Sequence, residues 1–442
     1  MSPAPEIRQN ATNATALLTP DEQVRVQRRT VLMLATTTIL GGLGIGAGFS
    51  AGALLITEVT GNAAISGLSA TMNAVGAAIA GIPLARLAAR RGRRLALSLG
   101  NLIAVVGAMM VIIAAVLNAG LFLFAGLAVL GIATAVQLQA RFSAADLAAP
   151  DRRARDLSLV VWSITIGAVV GPNLIGPGAI VGTSLGLPEL SGVFVFTLLA
   201  QAAAGAVTWF GLRPDPLLAA RALVGRQETG PAPAKSVGTS MAHSGSNRVE
   251  LSQVSGAART STQVMIIALI ATAHAVMVAI MAMTPLHITE HGGSITLVGL
   301  TISLHIAGMY ALSPVFGMLA GRFGSPPVML GGFGILAAAL ACTAFGGDSH
   351  VVIQIGLVLL GLGWGAVTVA GAALLTEVTP AGIRPKRQGQ SDTVMNASGA
   401  LAGATSGVLF AIGGFPLLSL LGAILVASGV VLVLRLFSLV RR

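Results

Sequence analysis

The stretch GLSATMNAVGAAIAGIPLARLAARRG, from Gly67 to Gly92, lies without a gap over GLTISLHIAGMYALSPVFGMLAGRFG, from Gly299 to Gly324, at a constant offset of 232 positions. Each copy is an apolar helix that ends in an arginine turn, with Arg90 over Arg322 and Gly92 over Gly324. A second pair, GLAVLG (Gly126 to Gly131) and GLVLLG (Gly356 to Gly361), extends the likeness. The chain therefore holds two copies of one unit, and the unit is apolar enough to lie in a membrane.

Composition narrows the possibilities. Apolar residues make up 55% of the 442 and charged residues 9%, with a mean hydropathy of +0.87. Such a chain has lipid for its main solvent, which excludes a soluble enzyme. The formal net charge of +11 does not indicate nucleic acid. The basic residues occupy short gaps between apolar runs and carry no interleaved aromatics.

Crossing about 30 Å of hydrocarbon takes roughly 20 apolar residues. Twelve runs qualify, at about 31–57, 65–85, 95–117, 120–142, 158–183, 191–212, 263–288, 296–319, 327–346, 350–376, 392–413 and 415–438. The sequence thus predicts an all-α integral membrane protein with 12 transmembrane helices in two pseudo-symmetric six-helix bundles. With a cytoplasmic N-terminus, every Lys and Arg falls in a cytoplasmic segment or at its helix ends, from Arg25 through Arg86 to Arg94, Arg152 to Arg155, Arg322 and Arg384 to Arg442. That distribution predicts a multi-pass protein of the inner (plasma) membrane with both termini cytoplasmic. The expected domains are a tail (1–28), a first bundle (29–212), a linker (213–262), a second bundle (263–438) and a short C-terminus (439–442).

The first 27 residues are polar and do not resemble a cleaved secretory signal. The sequons at Asn10 and Asn13 carry no weight in a cytoplasmic tail. Cys342 is the single cysteine, so no disulfide and no cysteine-based metal site is expected. The linker turns to Pro, Ser, Gly and charge, and reads as a flexible tether. At its start Asp215 can cap, and Pro216 can open, a short helix at the membrane surface.

The arginine turns resemble the repeated loop motif of the major facilitator superfamily, Gly-x-Leu-Ala-Asp-Arg-x-Gly-Arg-Arg. Ala85, Leu87, Arg90, Gly92, Arg93 and Arg94 fit in the first copy, and Gly317, Leu319, Ala320, Arg322 and Gly324 in the second. The Asp of the motif is Ala89 in one and Gly321 in the other. In the fifth run, GAVVGPNLIGPG (Gly167 to Gly178) is similar to the Gly-x-x-x-Gly-Pro-x-x-Gly-Gly motif of the drug and proton antiporter branch, through Gly167, Gly171, Pro172 and Gly176, with Pro177 departing from it. Small residues four apart let a partner helix approach closely, and packing alone is the alternative account. The branch's fourth-span arginine motif is absent, since its Arg and Gln positions read Leu127 and Leu130. The resemblance implies the major facilitator fold, alternating access and export.

Ionisable groups at membrane depth are the first candidates for function. His274 and His305 lie well inside spans seven and eight, and imidazole can exchange a proton near neutral pH. His305 is favoured, because its repeat partner Asn73 is polar at the same depth; for His274 the alternative is helix packing. Asp146 and Glu377 sit at matching helix ends. The expected gate pairs Asp146 with Arg90 or Arg86, and Glu377 with Arg322, unless these are solvated end charges. Arg141, near Asp146, either joins that cluster or snorkels. His287, Glu290 and His291 read as a surface cluster.

The family's cavity-lining spans offer Thr36, Thr37, Thr38, Gln137, Met277, Met281, Met283 and Trp364. They suit a hydrophobic or weakly polar small molecule. No metal site, no cofactor and no catalytic cluster is indicated. The expected partners are a small-molecule substrate, protons as coupling ion and the lipid bilayer, for a monomer. The expected function is proton-coupled export. A proton-coupled importer of a small metabolite is the alternative, and a non-transporting membrane sensor would need a folded signalling domain that these tails do not hold.

Overall fold

A computed structural model describes residues 19–149, 152–229, 256–347, 349–380 and 384–440. The expected features in the tail through residue 18, in the linker over 230–255 and at Arg441 and Arg442 lie outside the described residues. Within them the chain is helical, with no strand. The first half holds span 1 (Pro20–Thr60), span 2 (Leu68–Arg91), span 3 (Arg93–Val116) and span 4 (Gly120–Leu130 with Ile132–Ser143). It continues with span 5 (Arg153–Asn173 with Ile175–Ser184) and span 6 (Val193–Gly211). The second half holds span 7 (Gly256–Glu290), span 8 (Ile295–Tyr310 with Ser313–Phe323), span 9 (Ser325–Phe345) and span 10 (His350–Val378).

Spans 11 and 12 form one helical run, Arg384–Val440, broken at Gly413 and Gly414. Gly414 has φ 58 and ψ −156, a conformation nearly reserved for glycine, and Pro416 follows it. The break turns one long apolar run into two crossings, as the sequence predicts.

Span 1 starts earlier than its apolar run. Thr19 accepts from the Glu22 amide (3.3 Å), and the Glu22 carboxylate accepts from the Thr19 amide (2.7 Å). This capping box, with Pro20 at the first helical position, nucleates helix in polar sequence about ten residues before the membrane begins.

Lipid offers no hydrophobic force between helices, so association depends on close fit. Spans 1 and 5 supply it with Gly42 and Gly46 against Gly167 and Gly171. A methyl on Gly167 would run into the Ile39 carbonyl, and one on Gly171 into the Leu43 carbonyl. Spans 2 and 4 repeat the device, with Gly76 against the Ala128 carbonyl and Gly131 against the Asn73 carbonyl. The second half copies it position for position, with Gly308 against the Val358 carbonyl and Gly361 against the His305 carbonyl. The sequence repeat is therefore a repeat of a packing seam.

Each half has its own apolar core, around Leu55, Leu123 and Phe194 in the first and Phe333, Leu336 and Phe415 in the second. Large side chains such as Leu121, Ile79 and Phe345 point outward to lipid. The halves meet closely on the side away from the termini. The Thr71 hydroxyl donates to the Ala400 carbonyl (2.7 Å), Ser303 to the Val169 carbonyl (2.6 Å), and Ser66 faces the Met283 sulfur (3.7 Å). Methyl groups on Gly67, Gly299 or Gly407 would strike backbone of the opposite half.

Asp215 does more than the sequence suggested. Its Oδ1 accepts from the Leu217 and Leu218 amides (3.0 and 3.2 Å), capping the helix Pro216–Thr229. Its Oδ2 accepts from the Arg94 amide (2.7 Å) and so also caps span 3. The carboxylate missing from the arginine turn at Ala89 is supplied from the other end of the half. Gly92, at φ 94, leaves the room: a methyl there would strike that carboxylate. Arg221 returns the contact by donating to the Ala89 carbonyl (2.6 Å) at the end of span 2.

The seam makes a direct prediction. Gly167→Val is expected to lower the thermal midpoint of the detergent-purified protein by several degrees or to abolish folding, the cost of overpacking being about 1–3 kcal/mol or more. Gly81→Ala, where nothing lies within 4 Å of the added methyl, should leave the midpoint equal or slightly higher.

Candidate functional site

The second segment of span 4 places Gln137 and Arg141 one turn apart, on one helix face. Gln137 turns to span 1, and Arg141 reaches the interface between the halves. The Gln137 amide donates to the Thr38 carbonyl (3.0 Å), and Gly41 beside it has no room for a methyl. Its Oε1 is buried with no protein partner. Arg141 crosses to the second half and pairs with Asp392 of span 11 at 2.9 Å. Its Nε is buried without an acceptor, leaving one donor free toward the interior.

Facing these residues, the second half presents a chain of rings. The Trp364 indole N–H donates to His274 Nδ1 (3.0 Å), which fixes the neutral tautomer with its proton on Nε2. Tyr310, where span 8 breaks, packs edge-on against Trp364 with ring centroids 5.8 Å apart. Tyr310 also lies within Coulombic reach of the Arg141 guanidinium. Gly399 leaves the space that His274 fills, since a methyl there would come 2.8 Å from the imidazole. The result is a polar and aromatic ring in which Arg141 of the first half meets Tyr310, Trp364, His274 and Asp392 of the second, with Gln137 one turn before Arg141 on span 4. It offers flat apolar faces, two donors and one acceptor.

Among the residues expected from sequence, His274 and Trp364 thus come together, while Gln137 bonds span 1. Thr37 is buried in span 1 and spends its hydroxyl on the Met33 carbonyl (2.9 Å). Met277 and Met281 are buried in the core of the second half, the same cluster that holds Trp364. Thr36 and Thr38 likewise bond their own helix.

His305, the favoured candidate, has one ring nitrogen bonded and the other, Nε2, buried with no partner among the described residues. It is fully buried, and its Nδ1–H donates to the Leu357 carbonyl (2.7 Å), pinning span 8 to span 10. Its repeat partner Asn73 does the equivalent job, accepting from Thr134 (3.1 Å) to pin span 2 to span 4. The matched depth of the two polar residues reflects the duplicated seam, and no wall of the ring includes His305.

The arginine gate is rearranged. Asp146 pairs with Arg93 (2.9 Å), which also donates to Gln139 (2.9 Å). Arg86 and Arg90, the expected partners, are exposed. Arg93 follows the glycine turn and points back over the end of span 4, whereas the earlier arginines face outward from span 2. Burial holds the Asp146 carboxyl above the usual carboxylate range, outweighing the opposite pull of Arg93. Glu377 and Arg322 are both exposed and unpaired among the described residues, with Arg322 lying over the Phe323 ring. Among the described residues, the second copy of the arginine turn has no carboxylate latch. His287 is buried and stacked on Phe415 (4.4 Å between centroids), rather than sitting in a surface loop. Among the described residues no three His, Cys, Asp or Glu side chains converge as a metal site.

Sequence reasoning missed Tyr310 and the Arg141–Asp392 bridge. Tyr310 carried a signal, as the only tyrosine in the chain.

Comparison with known proteins agrees with this architecture. The family profile described as Major Facilitator Superfamily matches residues 32–293 and 264–442. The chain is 36% identical over 418 residues to a protein of Bacillus subtilis (strain 168) named "Uncharacterized MFS-type transporter YdeG", covering 94% of both chains. It is 27% identical to the riboflavin transporter RfnT of Brucella anthropi, covering 92% of this chain and 96% of that one. Among solved structures, it resembles the D-xylose-proton symporter with a TM-score of 0.68 at 14% identity, over 92% of this chain and 96% of that one.

Two tests address the charged pairs. With its native pKa raised, Asp146 resists ionisation in the fold, so a cost appears as pH climbs past the unfolded carboxylate value of about 3.9 and is complete above the folded one. Arg93→Leu removes the compensating cation. Its loss of thermal stability should therefore be small at pH 4.5 and reach about 1–3 kcal/mol at pH 8. For the bridge, a cysteine replacing Gln137 in a Cys342→Ser background reports access from the terminal side. Asp392→Ala should speed its maleimide labelling about five-fold, the shift that ~1 kcal/mol produces. Exchanging the two charges, Arg141→Asp with Asp392→Arg, should restore the slow rate.

Proposed function

The chain belongs to the Major Facilitator Superfamily, and from that premise we propose that it is a secondary active transporter exporting hydrophobic or weakly polar planar molecules in exchange for protons. The observation that carries this reading is the ring that Arg141 forms with the second half, in which Trp364 and Tyr310 offer flat faces while His274 and Arg141 offer directed hydrogen bonds, with Gln137 one turn away on span 4. Its guanidinium is neutralised by Asp392, so the ring suits a substrate without strong charge. The relative named as a riboflavin transporter supports a planar heteroaromatic substrate.

The arginine distribution supports a cytoplasmic terminal side. On that assignment the tight glycine seam closes the outside, and a single ion pair bars the cytoplasmic side, so the present state lies close to inward-facing. Rocking of the halves around the ring moves the site between the two faces. His274, whose Nε2–H faces Gly399 and not a carbonyl, is the proton-exchanging group of this proposal in place of His305. The Gly167, Gly171 and Pro172 seam between spans 1 and 5, which extends to span 8 through Gly176 and Gly299, supports the antiporter branch.

The test is retention of two planar fluorophores, ethidium and riboflavin, by bacteria with and without the protein, before and after an uncoupler. Lower retention that the uncoupler abolishes, and that Trp364→Ala reduces on the order of ten-fold through a lost stacking partner worth about 1 kcal/mol or more, is the expected result. Higher gradient-dependent retention would establish uptake and overturn the direction. Export unaffected by the uncoupler would overturn the proton coupling.

A further inference from the structure

A cleft of about 470 Å³ opens on the terminal side of the first half, away from the ring. It lies where the start of span 1, the connection after span 4 and the start of span 5 meet. Its floor is built rather than accidental. Gln27 is buried, and its side-chain amide donates both to the Ala144 carbonyl (2.8 Å) and to Asp156 Oδ2 (2.6 Å), tying the three segments together. Gln23 adds a bond to the Leu147 carbonyl (3.3 Å).

The rim carries three arginines, Arg28, Arg152 and Arg155, against a single lining carboxylate, Asp156, among the described residues. Arg28 and Arg155 are exposed and have no ion-pair partner among the described residues. One turn farther along their helices stand Leu32 and Leu159, both exposed and both lining the cleft. Those two leucines belong to the apolar runs that cross the membrane, which begin at about 31 and 158. The arginines therefore sit at headgroup depth, and the leucines at the depth where acyl chains begin.

We infer that this cleft seats the headgroup of an anionic glycerophospholipid. The phosphate lies between Arg28 and Arg155, whose planar forks suit its oxygens, and the acyl chains run down past Leu32 and Leu159. Because the cleft is bounded by the connection between spans 4 and 5, a bound lipid holds that connection against span 1. A soluble phosphate would meet the same guanidiniums but would gain nothing from the leucines, so the two sources are separable.

The experiment is native mass spectrometry of the full-length protein in mild detergent with dioleoylphosphatidylglycerol, dioleoylphosphatidylcholine or glycerol 3-phosphate added at equal concentration. Phosphatidylglycerol adducts should persist at collision energies that strip phosphatidylcholine, and glycerol 3-phosphate should leave none. Arg28→Gln with Arg155→Gln should reduce phosphatidylglycerol retention by ten-fold or more, as expected for two basic residues at a membrane surface. Arg25→Gln with Arg29→Gln removes the same charge on span 1 outside the cleft and should leave retention unchanged. Val24→Trp fills the cleft without touching its charge and should also expel the lipid. Equal loss in both arginine pairs would show general surface attraction and overturn the site. Glycerol 3-phosphate adducts as persistent as the lipid's would make the cleft a soluble-anion site.

Discussion

Helices in lipid gain nothing by hiding apolar surface from one another, so what holds this protein together is backbone meeting backbone without a side chain between. Glycine at Gly42, Gly46, Gly167 and Gly171 joins span 1 to span 5, and Gly76 and Gly131 join span 2 to span 4. The same contacts reappear at Gly308 and Gly361 in the second half, and Gly67, Gly299 and Gly407 seal one half to the other. Everything else is placed by these seams. The candidate ring sits where the halves meet, an interface tight on one side and held on the other, among the described residues, by the Arg141–Asp392 bridge.

Duplication supplies the frame and divergence supplies the chemistry. In the first half the arginine turn is latched twice, by Asp215 on the Arg94 amide and by Asp146 on Arg93. In the second half the equivalent turn at Arg322 and Gly324 has neither carboxylate. The aromatic residues of the ring follow the opposite bias, since Tyr310 and Trp364 belong to the second half, while Gln137 and Arg141 belong to the first. In the proposed alternating access, rocking one half against the other would move a hydrogen-bonding wall against an aromatic one. The Arg141–Asp392 bridge is a single contact between partly exposed side chains, so it can form and break without disturbing either bundle.

Polar residues inside the membrane divide into two kinds here, and depth does not separate them. Asn73 and His305 each hold neighbouring spans together through one bond, and His305 keeps a buried Nε2 with no partner among the described residues. His274 makes one bond to Trp364 and keeps its other nitrogen beside the cleft left by Gly399. What separates the two histidines is the neighbour each bonds, a backbone carbonyl for His305 and the Trp364 indole for His274.

The sequence by itself determined the crossings, the two-fold plan and the sealing of spans 1 and 5. Each follows from a local requirement: span length from membrane thickness, the plan from an uninterrupted repeat, and the seam from small residues four apart. It also held the cap at Asp215, because capping needs only the next few residues. Only the tertiary structure decided which arginine Asp146 meets, that Arg141 reaches Asp392, that Tyr310 joins Trp364, and that Met277 and Met281 are core. These depend on how far each helix is rotated about its axis and on where spans 4 and 8 break. A rotation of one residue, about 100°, moves a side chain from the gap between halves to the core or to lipid. Residue spacing fixes which side chains share a face, but the direction of that face is set by the glycine contacts with helices distant in the chain.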